Sequence, residues 1–88
     1  MKPIKHTPRF KRAYDARIAK NAYLREAFFD AVETFVADRE IVGDHPLEGR
    51  MSRFRAFRID QDYRVIYVDA EDAYYFVDVG RHRDVYYR

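Results

Sequence analysis

FRAFRIDQDYRVIYVDAEDAYYFVDVG, residues 54 to 80, decides the fold. Three runs, FRAFRID, YRVIYVDA and AYYFVDVG, are rich in β-branched and aromatic residues, the composition of strands. Asp-rich breaks at 60–62 and 69–72 separate them. Connections this short join antiparallel neighbours, so the segment predicts a three-stranded meander that Gly80 ends. Strand alternation puts Phe54, Ala56 and Arg58 on one face and Arg55, Phe57 and Ile59 on the other. On the next strand Arg64, Ile66 and Val68 share a face.

Working back from the meander, EIVGDHPLEGR (40–50) carries Gly43, Pro46 and Gly49 and predicts a loop. Before it the period changes from two to nearly four. In YLREAFFDAVETFVADRE (23–40), Leu24, Ala27, Phe28, Ala31, Val32 and Phe35 make one apolar helix face. Phe10, Tyr14 and Ile18, with Ala13, make another. Thr7 followed by Pro8 starts that first helix, because the Thr hydroxyl accepts an orphan N–H and Pro at the first helical position loses no bond. Asn21 breaks or caps between the two, giving a helical hairpin. KPIKH (2–6), flanked by Pro3 and Pro8, predicts an edge strand. RHRDVYYR (81–88) reads as a charged turn with a short aromatic tail. The fold class is therefore α+β: two N-terminal helices packed on one face of a twisted antiparallel sheet, one domain over 1–88.

The 88 residues suit one compact domain, and 48% apolar with 17% aromatic residues supply a core. A net charge of +2 announces no nucleic-acid binder by itself, so any basic surface must come from local segregation. Without cysteine there is no disulfide framework, thiolate metal site or Cys nucleophile. No apolar run approaches the ~20 residues that span a bilayer, and MKPIKHTPRFKR lacks the apolar segment of a secretory signal. A cytoplasmic protein without membrane contact is the expectation.

The cations do segregate. Lys2, Lys5, Lys11 and Lys20 all precede residue 21, whereas from residue 44 onward every basic residue other than His is Arg: 50, 53, 55, 58, 64, 81, 83 and 88. Arg grips phosphate with a planar fork, Lys as a point charge. An all-Arg set among aromatics is what RNA backbone and base contacts need. Asp44, Glu48, Asp60, Asp62, Asp69, Glu71, Asp72, Asp78 and Asp84 offer the plainer account, cross-strand ion pairs on a solvated face. His6, His45 and His82 show no metal-ligand spacing, but His45 and His82 lie in polar loops at strand ends, where a titrating group is useful.

The blocks DH-P-L-x-G, FRAFRIDQDYRVIY and VDVGRHRDVY, spanning 44–87, resemble the RelE/ParE toxin superfamily of type II toxin–antitoxin systems, and within it the YafQ-like mRNA endonucleases. Position by position, the resemblance carries the family's loop His to His45, its turn Asp to Asp62, the second-strand Arg to Arg64, the His of the last motif to His82 and the near-terminal aromatic to Tyr86. YafQ-like enzymes have a further catalytic His where this chain has Arg58. RelE-like relatives use Arg and Lys where YafQ-like ones use His, so this chain mixes the two patterns.

The resemblance implies a ribosome-dependent mRNA endonuclease that needs no cofactor or metal and inhibits translation. His45 and His82 would move protons, with Asp62 as alternative base or tautomer holder. Arg64 would stabilise charge, Tyr86 would stack or steer, and Arg55, Arg58, Arg81 and Arg83 would clamp phosphate. The implied partners are a cognate antitoxin, mRNA and ribosomal RNA. ParE-like relatives share the fold but poison DNA gyrase by binding, and a catalytically inactive relative would only bind its antitoxin. The strand-end histidines are needed for the first reading and superfluous for the others.

Overall fold

The computed structural model describes residues 2–86; Tyr87 and Arg88 lie outside them. Strand β1 (Ile4–His6) leads into helix α1 (Pro8–Arg17) and helix α2 (Ala22–Ala37). A two-residue strand β2 (His45–Pro46) and a 3-10 turn (Gly49–Met51) follow. The meander is β3 (Arg55–Arg58), β4 (Tyr63–Asp69) and β5 (Tyr74–Arg81), and the chain turns into helix α3 (His82–Tyr86).

Both long helices start where their caps predict. The Thr7 side chain accepts from the Phe10 N–H and the Asn21 side chain from the Leu24 N–H, each at 3.1 Å. The sheet runs β1-β5-β4-β3-β2. The meander pairs antiparallel, and β1 lies at the edge as its prolines suggest, parallel to β5. The sheet is thus mixed, because two intervening helices return the chain to the same end before β5 is laid down. The 40–50 loop contributes β2, whose His45 and Pro46 pair with Ala56 and Arg55.

One sheet face carries the main core. Phe10, Ile18, Leu24, Phe28 and Phe35 from the helical half meet Phe57, Val65, Tyr67, Phe76 and Val79 from the strands. Phe35 stacks on Phe57 with ring centroids 4.5 Å apart and meets Tyr67 edge-on at 5.0 Å. The other face has a second, smaller core of Ala56, Ile66 and Val85, flanked by Leu47, Met51, Phe54, Val77 and Tyr86. This corrects the reading of residues 81–88 as a charged turn. Residues 82–86 are helical, and Val85, fully buried, plugs α3 onto the sheet. Asp84 accepts the Arg81 N–H at 3.0 Å and so ties the start of that turn. A β-bulge in β5 shapes the same face. Ile66 pairs with Asp78 and Tyr67 with Phe76, which leaves Val77 the extra residue.

Candidate active site

The strand registers bring together one end of the second face. Arg58, Arg64 and Gly80 are successive register partners across β3, β4 and β5. Beyond Gly80 the chain turns into α3, and the His82 N–H donates to the Asp62 carbonyl at 3.1 Å. That bond ties the β5–α3 junction to the β3–β4 turn. The turn itself is built by Asp60, whose carboxylate accepts the Asp62 N–H at 2.9 Å and the Tyr63 N–H at 2.8 Å. Asp62 is left exposed at the tip.

One helical turn separates His82 from Tyr86, and their rings meet edge-to-face at 4.2 Å between centroids. Tyr86 is half-buried against the second core. Burial pushes its hydroxyl pKa up, and the neighbouring Arg64 charge pulls against that. The Arg64 guanidinium donates to the Asp60 and Tyr63 carbonyls at 2.8 and 3.1 Å, and among the described residues no carboxylate pairs with it. A cation bound only to carbonyls keeps its charge available to an anion. Asp62, Arg64, His82 and Tyr86 thus form one cluster, flanked by exposed Arg81 and Arg83. Arg81 is held near Asp84, 3.6 Å from its Nε.

His45 stands elsewhere. It is exposed on β2, and its Nδ1 lies 2.9 Å from the Gly43 carbonyl. A carbonyl only accepts, so Nδ1 carries the proton and Nε2 faces outward with its lone pair in the neutral ring. It sits on the edge strand of the sheet opposite β1, and Leu47, two residues on, packs on the same second core as Val85 and Tyr86 of α3. Arg58 also turns away from Arg64, although their backbones are paired. Its guanidinium lies so close over Gly43 that a Cβ there would collide with it, and it borders a groove with Tyr23, Glu26, Asp30 and Ile41.

Arg55 is committed to structure. Its Nε and Nη2 form a fork on Asp44 at 3.1 and 2.8 Å. The Tyr67 hydroxyl also donates to Asp44, and Arg39 Nε lies 3.7 Å from it. Burial alone would raise the Asp44 pKa, but the Arg55 fork, the Tyr67 hydroxyl and the two cations hold it below the usual carboxylate range. Arg39 also reaches Asp69 at 2.9 Å, which Lys2 pairs with from the N-terminal side. From the sequence, Asp44 stands among the acids that would pair with arginines across strands, but the convergence of Arg55, Tyr67 and Arg39 on it, which holds the residue next to His45, is not legible there. Its only local signal was an acid directly before that His. Asp78, another acid of that set, is buried and lies 3.3 Å from Arg17 and 3.5 Å from Arg9 of α1. Among the described residues no three His, Asp or Glu side chains gather as a metal site.

Comparison with known proteins agrees with this architecture. The profile of the family described as "Bacterial toxin of type II toxin-antitoxin system, YafQ" matches residues 2–87. A mutant of YafQ from Escherichia coli superposes with a TM-score of 0.79 at 14% identity, over 98% of this chain and 99% of that one. A metal-bound toxin from Helicobacter pylori gives 0.78 at 21% identity, over 98% and 100%. The toxin in the E. coli DinJ–YafQ complex gives 0.73 at 15% identity, over 98% and 99%. No curated protein gives a significant match.

Proposed function

The chain belongs to the YafQ family of bacterial toxins of type II toxin–antitoxin systems, and we propose on that premise that it is an endoribonuclease cutting ribosome-bound mRNA. The reaction removes the proton of a ribose 2′-hydroxyl, and that oxygen attacks the adjacent phosphorus in line. The 5′-oxygen departs with a proton, leaving a 2′,3′-cyclic phosphate and a 5′-hydroxyl. A base and an acid that titrate near neutral pH each supply ~10²–10⁴-fold.

His82 is the principal proton-moving group in this reading. Tyr86 holds its ring, Arg64 stabilises the non-bridging oxygens, and Arg81 and Arg83 grip the strand. Asp62 lies within the same cluster as an alternative base. His45 serves as second proton carrier only if bound RNA spans the face between them. The observation that carries the proposal is the His82–Tyr86 pair beside Arg64, which among the described residues is bound by carbonyls and by no carboxylate. A cognate antitoxin is the proposed protein partner, since the E. coli relative is known in complex with DinJ. Among the described residues no helix is long and apolar enough to cross a membrane.

Controlled bacterial expression with mapping of mRNA 5′ ends, wild type beside His82→Ala, tests the reading. Growth arrest with new ends inside translated messages, lost in the variant, is expected. Arrest without mRNA cleavage would overturn it and direct attention to gyrase supercoiling.

A further inference from the structure

The second face holds a cavity of about 570 Å³ beside the cluster, lined chiefly by Met51, Phe54, Ile66, Val77 and Val85. Its size is that of a small-molecule site and its floor is apolar. Ile66 and Val85 are fully buried beneath it, while Met51, Phe54 and Val77 are half-buried walls. The bulge at Val77 opens the space by displacing one residue of β5. We propose that this cavity is a subsite for one unpaired RNA base, adjacent to the phosphate held by Arg64. The proposal rests on the nuclease reading and deepens it by naming where a substrate base is seated.

Three observations select this occupant. The mouth is cationic: exposed Arg50 lines it, and Arg53 lies over the Phe54 ring at 5.8 Å. Among the described residues neither Arg50 nor Arg53 pairs with a carboxylate. Asp78, the acid in the wall, is neutralised by Arg9 and Arg17 and so does not repel a polyanion. Phe54 and Met51 offer the aromatic and polarisable surfaces on which bases stack whatever their identity. Finally, Arg64 and Ile66 are two residues apart on one face of β4. Their Cα atoms are about 7 Å apart, so the cavity floor at Ile66 and the strand position of Arg64 belong to the same face.

The test is fluorescence anisotropy at low salt, using the full chain and 2′-O-methyl RNA hexanucleotides that lack the nucleophile. One base at a time is replaced by an abasic residue. In the wild type, removal at one position is expected to weaken binding by roughly 5- to 150-fold. In Phe54→Ala, checked for folding by thermal melting, that positional penalty should vanish. Arg50→Ala, an exposed change that leaves the core intact, should lower the slope of affinity against salt by about one phosphate contact. The subsite is overturned if the hexanucleotides do not bind, or if no position shows a penalty. An equal penalty in Phe54→Ala also overturns it. So does weakening of antitoxin binding alone, which would make the cavity a seat for a protein side chain. Base-dependent binding together with absent mRNA cleavage in cells would sink the nuclease reading while keeping the subsite.

Discussion

Asp44→Asn should destabilise this protein in a pH-dependent way. The side chain is only 6% exposed and collects the Arg55 fork and the Tyr67 hydroxyl, with Arg39 close by. The amide has the same shape, so no cavity opens. The loss is electrostatic, and an NH₂ group now faces Arg55. Removing one partner of a buried ion pair costs about 3–5 kcal/mol. Arg55 and Arg39 are 30% and 35% exposed and can turn toward water, which lowers the expected cost to about 2–3 kcal/mol. The folded Asp44 pKa is depressed, so its contribution is complete above the unfolded value of ~3.9 and is lost as pH falls through the folded one. Urea unfolding followed by circular dichroism from pH 7 to pH 3 measures both features. The gap between wild type and variant should be full at pH 7 and close below about pH 4. A gap under about 0.5 kcal/mol at pH 7, or one that persists unchanged in acid, would refute the assignment of Asp44 as an ionised anchor.

Val85→Ala removes two methyl-sized groups from a fully buried site and should cost about 2 kcal/mol in chemical denaturation. Because α3 carries His82 and Tyr86, mRNA cleavage should fall with it at temperatures where the protein remains folded. Gly43→Ala meets both a φ of +70° and the Arg58 guanidinium, and should lower stability by about 1–2 kcal/mol or more. Arg58→Ala in the same chain should relieve the collision but not the backbone strain. Tyr86→Phe keeps the ring that His82 packs on and should retain cleavage, whereas Tyr86→Ala should lose about 10²-fold through misplacement of the imidazole. A large loss in Tyr86→Phe would mean that the hydroxyl itself takes part.

Local chemistry is what made the larger outline legible. Thr7-Pro8 and Asn21 satisfy the first orphan N–H groups of α1 and α2 from within three residues, so their caps can be recognised without knowing the fold. The alternation around Phe57 and Ile66 correctly separated the two sheet faces, because side-chain direction follows from the pleat alone. In the cluster, Arg64 and His82 were legible from their places on or beside a strand end, whereas Asp62 and Tyr86 were singled out by the family resemblance. Arg55 shows the limit. Its face was predictable, but its partner is eleven residues back in a loop, and only the β2–β3 pairing brings Asp44 to it.

The sequence by itself determined the α+β class, the helical hairpin, the meander and the edge position of β1, since periodicity, caps and turn residues act over a few positions. Tertiary structure alone decided the parallel pairing of β1 with β5, the helical state of 82–86 and the direction of the Arg58 side chain. A five-residue helix has too few internal bonds to be stable alone, and α3 exists because Val85 finds a pocket on the sheet. Alternation assigns a residue to a face but not to a neighbour. Neighbours depend on register, and the bulge at Val77 changes that register at the point where the cavity opens.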